Sequence, residues 1–166
     1  MKRESETVIR YGRGSTMLGD AVVFVTGNGV CALRLLGRQT LTQLVDEMQQ
    51  RHPNADVVED QTAARQAFKQ VDGWLAGKIK SRELSLDLRG TPFQMQVWKE
   101  MLRVPHGKTC SYTELARRVG KPRAVRAVAS ACARNPVGLL VPCHRIVRQD
   151  GTLGGYYWGL DKKEKL

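Results

Sequence analysis

The spacing of apolar residues changes at Gly90-Thr91-Pro92, and this change limits the possible folds more than any other feature of the chain. Upstream, the two-residue repeat of strands alternates with the 3.6-residue repeat of helices. The apolar runs at 21–25 and 30–33 flank Asn28-Gly29, a dipeptide that tolerates the positive φ of a tight hairpin turn. Thr40 stands three residues before Gln43, a capping-box spacing, and Leu41, Leu44, Val45 and Met48 follow at helical intervals. Ala64, Phe68, Val71 and Leu75 predict a second helix, with Gly77 as its stop. Leu84, Leu86 and Leu88 alternate with polar residues and predict a strand. Residues 1–89 therefore read as a small α/β domain. That half shows no phosphate loop, metal-ligand spacing or paired carboxylates, so no chemistry is assigned to it.

Residues 90–166 read as a second, mostly helical domain. Thr91 can cap a helix and Pro92 suits its first position. Phe93, Val97, Trp98, Met101 and Leu102 line that helix, and Pro105-His106-Gly107 ends it. A short helix with Leu115, Ala116 and Val119 follows Ser111-Tyr112-Thr113. Gly120 breaks it, and Pro122 restarts the chain as a second helix, giving a helix-turn-helix pattern. The second helix places Val125, Val128, Ala129 and Cys132 on its core stripe. Its opposite stripe is Arg123, Arg126, Ala127, Ser130, Ala131 and Arg134. Small side chains let a helix backbone approach a partner, and arginine reaches phosphates and base edges. A merely solvated face would be richer in Glu, Gln and Lys.

Charge supports the same reading. The 166 residues carry 27 Lys+Arg and 16 Asp+Glu, a formal net charge of +11. Residues 1–89 hold 13 basic and 11 acidic side chains, whereas residues 90–166 hold 14 and 5. Between Glu114 and Asp150 there are eight basic residues and no acidic one. Such an asymmetric surface fits a polyanion, most often nucleic acid. No apolar run approaches the roughly 18 residues of a membrane span. The first residues lack the apolar core of a signal peptide. Cys31, Cys110, Cys132 and Cys143 are scattered, without a metal-binding pair, as in a protein kept reduced in the cytoplasm.

Cys143 has the most reactive setting of the four. Gly138-Leu139-Leu140-Val141 predicts a buried apolar strand, broken by Pro142, so Pro142-Cys143-His144-Arg145 falls on a tight turn. Neighbouring His and Arg favour a thiolate, which is the nucleophilic form, and His can act as its base. Taken alone, a Cys-His pair is more often structural.

The residues from about Gly90 to Leu166 carry a specific resemblance. Pro142-Cys143-His144-Arg145 after Leu140-Val141 resembles the signature of the O6-alkylguanine-DNA alkyltransferases, the methylated-DNA–protein-cysteine methyltransferases. Supporting motifs are residues 90–94, Val97-Trp98, Ser111-Tyr112, Lys121-Pro122, residues 124–128, Asn135-Pro136, residues 151–153 and Gly155-Tyr156. Within that family the chain is most similar to the alkyltransferase half of adaptive-response proteins. Residues 1–89 match more loosely.

The resemblance implies a ribonuclease-H-like α/β N-terminal domain and a mostly α C-terminal domain with a winged-helix-like helix-turn-helix. It implies transfer of an alkyl group from O6-alkylguanine in double-stranded DNA to Cys143, with O4-alkylthymine as a second candidate substrate. His144 would be the water-linked base of the thiol. Tyr112 would assist flipping and donate a hydrogen bond to N3 of the guanine. Arg126 would fill the vacated base stack, beside Arg123, Ala127, Ser130, Ala131 and Arg134 at the groove. Asn135 would brace the turn into the active-site loop. Ile146 would offer its carbonyl to the exocyclic amine, and Tyr156 and Tyr157 would contact the flipped base. No cofactor or metal is implied, no membrane is involved, and the protein is expected to be a monomer. The product is a thioether, which offers water no carbonyl to attack, so one transfer per molecule is expected.

The family also places a glutamate 27 residues after the reactive cysteine, at position 170, beyond Leu166. Asp161-Lys162-Lys163-Glu164 reads as the capped start of a helix cut after one turn. An adaptive-response parent would carry an upstream zinc-binding domain. Two alternatives differ in class: a non-catalytic alkylated-DNA-binding protein and a winged-helix regulator. The first lacks a reactive cysteine, and the second leaves Pro142-Cys143-His144-Arg145 unexplained.

Overall fold

The computed structural model describes residues 7–148, with Ser81 defined for its backbone alone. Residues up to Ile79 together with Glu83–Asp87 form one compact unit, and Lys80–Arg82 with the residues from Leu88 onward form the other.

The first unit is built on a four-stranded mixed sheet in the order β3-β2-β1-β4. Strands β1 (Val8–Thr16), β2 (Gly19–Thr26) and β3 (Gly29–Leu35) run as an antiparallel meander. Helix α1 (Leu41–Arg51) leads to β4 (Asp56–Glu59), which pairs parallel to β1, and helix α2 (Gln61–Leu75) follows. The hairpin expected at Asn28-Gly29 forms, but its two-residue loop is Gly27-Asn28 and Gly29, at φ 141°, is the first residue of β3; the Thr40–Gln43 capping box opens α1. One face of the sheet packs Ile9, Val22 and Phe24 on Leu44 and Met48 of α1. On β1, Gly12 and Gly14 lie against α2, where an added Cβ would meet Ala64 or the Phe68 ring at 2.4 Å. These glycines make β1 hard to see in the sequence, because they break its side-chain alternation.

Two expectations for this unit are corrected. Trp74, not Leu75, is the last buried residue of α2. The strand expected over 84–88 reduces to a single parallel bridge between Val30 and Leu86. Val30 donates to the Ser85 carbonyl at 2.9 Å, and Asp87 donates to the Val30 carbonyl at 2.9 Å. The three leucines are only half-buried. With one residue paired, alternation had no ladder to register against.

Among the described residues, the second unit packs three α-helices. Helix α3 (Pro92–Met101) opens with the Thr91–Gln94 capping box and buries Val97, Trp98 and Met101. It closes at Leu102, earlier than the expected stop at Pro105, because Leu102 and Arg103 already tighten onto Trp98 and Glu100. A two-residue strand, β5 (Cys110–Ser111), leads directly into α4 (Tyr112–Arg118). Helix α5 (Val125–Ala133) packs on α3 through the Trp98 indole, which donates to the Ala131 carbonyl at 2.9 Å in the interior. That carbonyl belongs to the last turn of α5, where it also accepts from Arg134 N–H at 3.2 Å.

The expected strand at 138–141 is absent. These residues form a buried turn closed by Val141 N–H on the Val137 carbonyl at 2.9 Å. Leu139 sits at φ 73°, the one non-glycine residue with positive φ among the described residues. After the 3-10 turn Cys143–Arg145, β6 (Ile146–Val147) pairs parallel to β5.

Gly14→Ala should destabilise the first unit by about 1–3 kcal/mol, the usual cost of overpacking a tight contact. The readout is a lower denaturant midpoint at unchanged m. Gly27→Ala, where nothing lies within 4 Å of the new Cβ, should be close to neutral.

Candidate nucleic-acid interface and reactive thiol

Ser111 caps α4 by accepting from the Glu114 amide at 3.0 Å, which makes Tyr112 the first residue of the helix rather than its preface. The C-terminus closes in a Schellman pattern. Gly120 N–H reaches the Arg117 carbonyl and Lys121 N–H the Ala116 carbonyl, both at 2.9 Å, with Gly120 at φ 75°. Helix α5 then starts at Val125. Pro122 and Arg123 belong to the intervening turn, so Arg123 is exposed beside the helix and not on it.

The stripes of α5 also differ from the expected ones. Ala131 is 3 % exposed and faces the core with Val128 and Cys132, while Ala133 is exposed. Residues 128, 131 and 132 are one turn apart and share a face, so the Trp98 contact pulls Ala131 inward. The outward surface is Arg126, Ala127, Ser130, Ala133 and Arg134. Glu114 takes Arg117 at 3.1 Å and Arg118 at 3.5 Å, whereas Lys121, Arg123, Arg126 and Arg134 pair with no carboxylate among the described residues.

Asn135, just past α5, turns its side chain to the thiol loop. Its Oδ1 accepts from Val137 N–H at 2.9 Å. Its Nδ2 donates to the Val141 carbonyl at 2.8 Å and lies 3.7 Å from Cys143 Sγ. Cys143 N–H closes the turn on Val141 at 2.8 Å. Of the four cysteines, Cys31, Cys110 and Cys132 are buried, and Cys143 alone is partly exposed. An accessible thiol beside an amide donor is the one suited to act as a nucleophile. Burial pushes the Cys110 thiol up, which keeps it protonated and inert.

His144 and Arg145 are 8 % and 5 % exposed. The Arg145 guanidinium donates to the Val104 carbonyl at 2.8 Å and lies 3.4 Å from His106 Nδ1, fastening the turn to the end of α3. Nothing in the local sequence signals that tether, since Val104 is 41 residues away. Ile146 is fully buried on β6 opposite Cys110. Tyr112 is half-buried, and its phenol is pushed up to about 12, chiefly by burial and then by the nearby Cys132 and Cys143 sulfurs, with Arg148 opposing. It is therefore a proton donor at neutral pH. Tyr156, Tyr157 and the expected cap at Asp161 lie outside the described residues. No group of three His, Cys, Asp or Glu side chains among the described residues converges as a metal site would require, and none of their helices is long and apolar enough to cross a membrane.

An accessible, amide-braced thiol next to an arginine-bearing helix-turn-helix defines a class of nucleic-acid-directed thiol proteins. Comparison with known proteins narrows the class. A family model described as 6-O-methylguanine DNA methyltransferase, DNA binding domain, matches residues 92–166. The methylated-DNA–protein-cysteine methyltransferase of Methanosarcina barkeri is 46% identical over 112 residues, covering 68% of this chain and 71% of that protein. The bifunctional transcriptional activator/DNA repair enzyme Ada of Escherichia coli is 44% identical over 158 residues, 95% of this chain. The chain spans 44% of the length of that Ada protein. The crystal structure of Mycobacterium tuberculosis OGT in complex with DNA is similar with a TM-score of 0.76 and 34% identity, covering 93% of this chain and 88% of that one. The chain belongs to the methylated-DNA–protein-cysteine methyltransferase family.

The Tyr112 environment has a consequence for stability. Its folded pKa is raised, so between about pH 10 and about pH 12 the unfolded phenol loses a proton that the folded one keeps. Stability falls as pH rises through that window. Tyr112→Phe should flatten the fall, read from denaturant midpoints at pH 9 and pH 11.

Proposed function

We propose that the protein repairs DNA by moving the alkyl group of O6-alkylguanine irreversibly onto Cys143, once per molecule. The observation that carries this reading is the geometry around Cys143 Sγ: the one partly exposed thiol, 3.7 Å from the Asn135 amide that also anchors the turn leaving α5. In the step, the Cys143 thiolate attacks the alkyl carbon in line. The S–C bond forms as the O6–C bond breaks, and the electron pair stays on the purine. Tyr112 gives its proton to N3 of the departing base and recovers one from solvent. His144 takes the thiol proton at the start.

The reactive carbon is out of reach inside a duplex, so the base must be extruded, at a cost of a few kcal/mol. Arg126 offsets part of that cost by occupying the vacated stack. Ala127, Ser130 and Ala133 let α5 approach the groove. Ala131 supports that surface from within, through Trp98. Arg123 and Arg134 flank the helix where phosphates would lie. Ile146, Tyr156 and Tyr157 complete the pocket for the flipped base. Residues 90–166 are the alkyltransferase domain in this reading, and residues 1–89 its α/β partner. The sheet order, with β4 parallel to β1, supports a ribonuclease-H-like relation, and the short β5–β6 ladder beside the helix-turn-helix a winged-helix-like one. The protein would act as a monomer in the reducing cytoplasm, without a cofactor.

Intact mass after incubation with a duplex bearing one O6-methylguanine should rise by one methyl, mapped to Cys143 and saturating at one per protein. Cys143→Ala should gain none while keeping its DNA affinity. A second methyl per molecule, or a gain that survives Cys143→Ala, would overturn the reading. Arg126→Ala should slow transfer from duplex DNA by about tenfold or more, matching the loss of roughly 1.4 kcal/mol or more of stacking compensation. Transfer from a single-stranded substrate should change far less.

A further inference from the structure

We propose that His106 is a positioning residue for the thiol turn: as the neutral imidazole it accepts from Arg145 through Nδ1, and on gaining a proton it releases the guanidinium that fastens the turn to the end of α3. This rests on the alkyl-transfer reading above and adds to it a pH-dependent control from outside the reactive centre.

The contact fixes the state of the ring. Arg145 Nη2 lies 3.4 Å from His106 Nδ1. A guanidinium carries only donors and keeps its charge. The hydrogen bond therefore exists only while Nδ1 holds a lone pair and the ring proton sits on Nε2. The two side chains live in different surroundings. Arg145 is buried, and its other terminal nitrogen donates to the Val104 carbonyl. His106 stands in the loop after α3 and is exposed to the solvent that can protonate it. Its ring is the solvent-facing end of a line that runs through a buried guanidinium to the last residue of the turn bearing Cys143.

Protonation turns an N–H toward an N–H donor and sets two positive charges against each other. The titratable groups on the segments that meet here are His144 and Arg145 on the 3-10 turn, Arg103 and Lys108 on the loop of His106, Lys99 and Glu100 near the end of α3, and Cys110 on β5. Glu100 is taken by Arg103 at 3.1 Å, and no carboxylate among the described residues pairs with His106 to offset the new charge. Arg145 also shapes the turn directly, since its N–H closes on the Pro142 carbonyl at 3.0 Å. Loosening its side chain therefore shifts Cys143 Sγ against the Asn135 amide 3.7 Å away. In-line attack depends on that placement. A histidine changes charge between about pH 5 and pH 8. The hold is complete toward the upper end of that range and is lost toward the lower end, so transfer slows as the solution is acidified.

The test is single-turnover transfer from a duplex with one O6-methylguanine, at protein concentrations that saturate the DNA so that affinity drops out, at about pH 8 and about pH 5.5. Wild type, His106→Asn and His106→Lys are compared. Asparagine offers a neutral acceptor oxygen where Nδ1 stands, and lysine is a donor-only cation at both pH values. Protonation of Cys143 and His144 slows all three proteins alike and cancels in their ratios. The wild-type rate should match that of His106→Asn at the higher pH and fall about fivefold below it at the lower pH, the rate equivalent of one net hydrogen bond. His106→Lys should be slower than His106→Asn by about the same factor at both pH values. As a readout independent of activity, nitrogen NMR of the wild-type ring at the higher pH should show the proton on Nε2 and none on Nδ1. A ratio of wild type to His106→Asn that does not change with pH would overturn the proposal, as would a His106→Lys protein as fast as His106→Asn, or a ring proton on Nδ1. Absence of transfer by the wild type itself would overturn the alkyl-transfer reading, and the nitrogen spectrum would then decide for or against the Arg145 contact by itself.

Discussion

The side chain of Asn135 holds together the two parts that the chemistry must bring together. It stands directly after α5, so its backbone is fixed by the exposed helix. Its carboxamide reaches over the next turn, accepting from Val137 and donating to Val141, and it ends beside Cys143 Sγ. The turn it braces is buried and passes through a left-handed Leu139, a conformation that costs a non-glycine residue about 1 kcal/mol or more. Without the carboxamide, Val137 N–H would lose its acceptor and the Val141 carbonyl a donor in a site with little water, at about 1–3 kcal/mol per group. The position of the surface helix and that of the thiol are therefore parts of one hydrogen-bonded arrangement.

Charge is sorted as strictly as polarity. Glu114 neutralises the end of α4, so the positive field is concentrated past Gly120, on the turn and on α5. The cation nearest the thiol in sequence, Arg145, is withdrawn from the surface and spent on the Val104 carbonyl. A buried guanidinium needs such partners, since an unsatisfied one would cost far more than the tether contributes. The exposed arginines of α5 and its C-cap, Arg126 and Arg134, stand beside the exposed small residues Ala127, Ser130 and Ala133.

The sequence was most legible where one residue type does one local job. Thr40, Thr91 and Gly120 behave as their chemistry dictates, because caps and turns close within a few residues. It was least legible where the partner is distant. Two glycines hide β1 because they are there for α2 and not for the strand. The ladder of β5 and β6 is two residues long on each side, too short to leave a period. Leu84, Leu86 and Leu88 alternate like a strand but find only one backbone partner.

Sequence alone determined the two-part organisation, the basic second half, the helix-turn-helix and the choice of Cys143, because each follows from composition, local periodicity or a compact motif. Tertiary structure decided which face of α5 is outward and that Arg145 fastens the thiol turn to the end of α3. Those outcomes depend on contacts 31 to 41 residues apart, as in Trp98 to Ala131, Cys132 to Met101 and Arg145 to Val104. Pairings at that distance leave no trace in local spacing, since any face or partner satisfies the local pattern until the core is assembled.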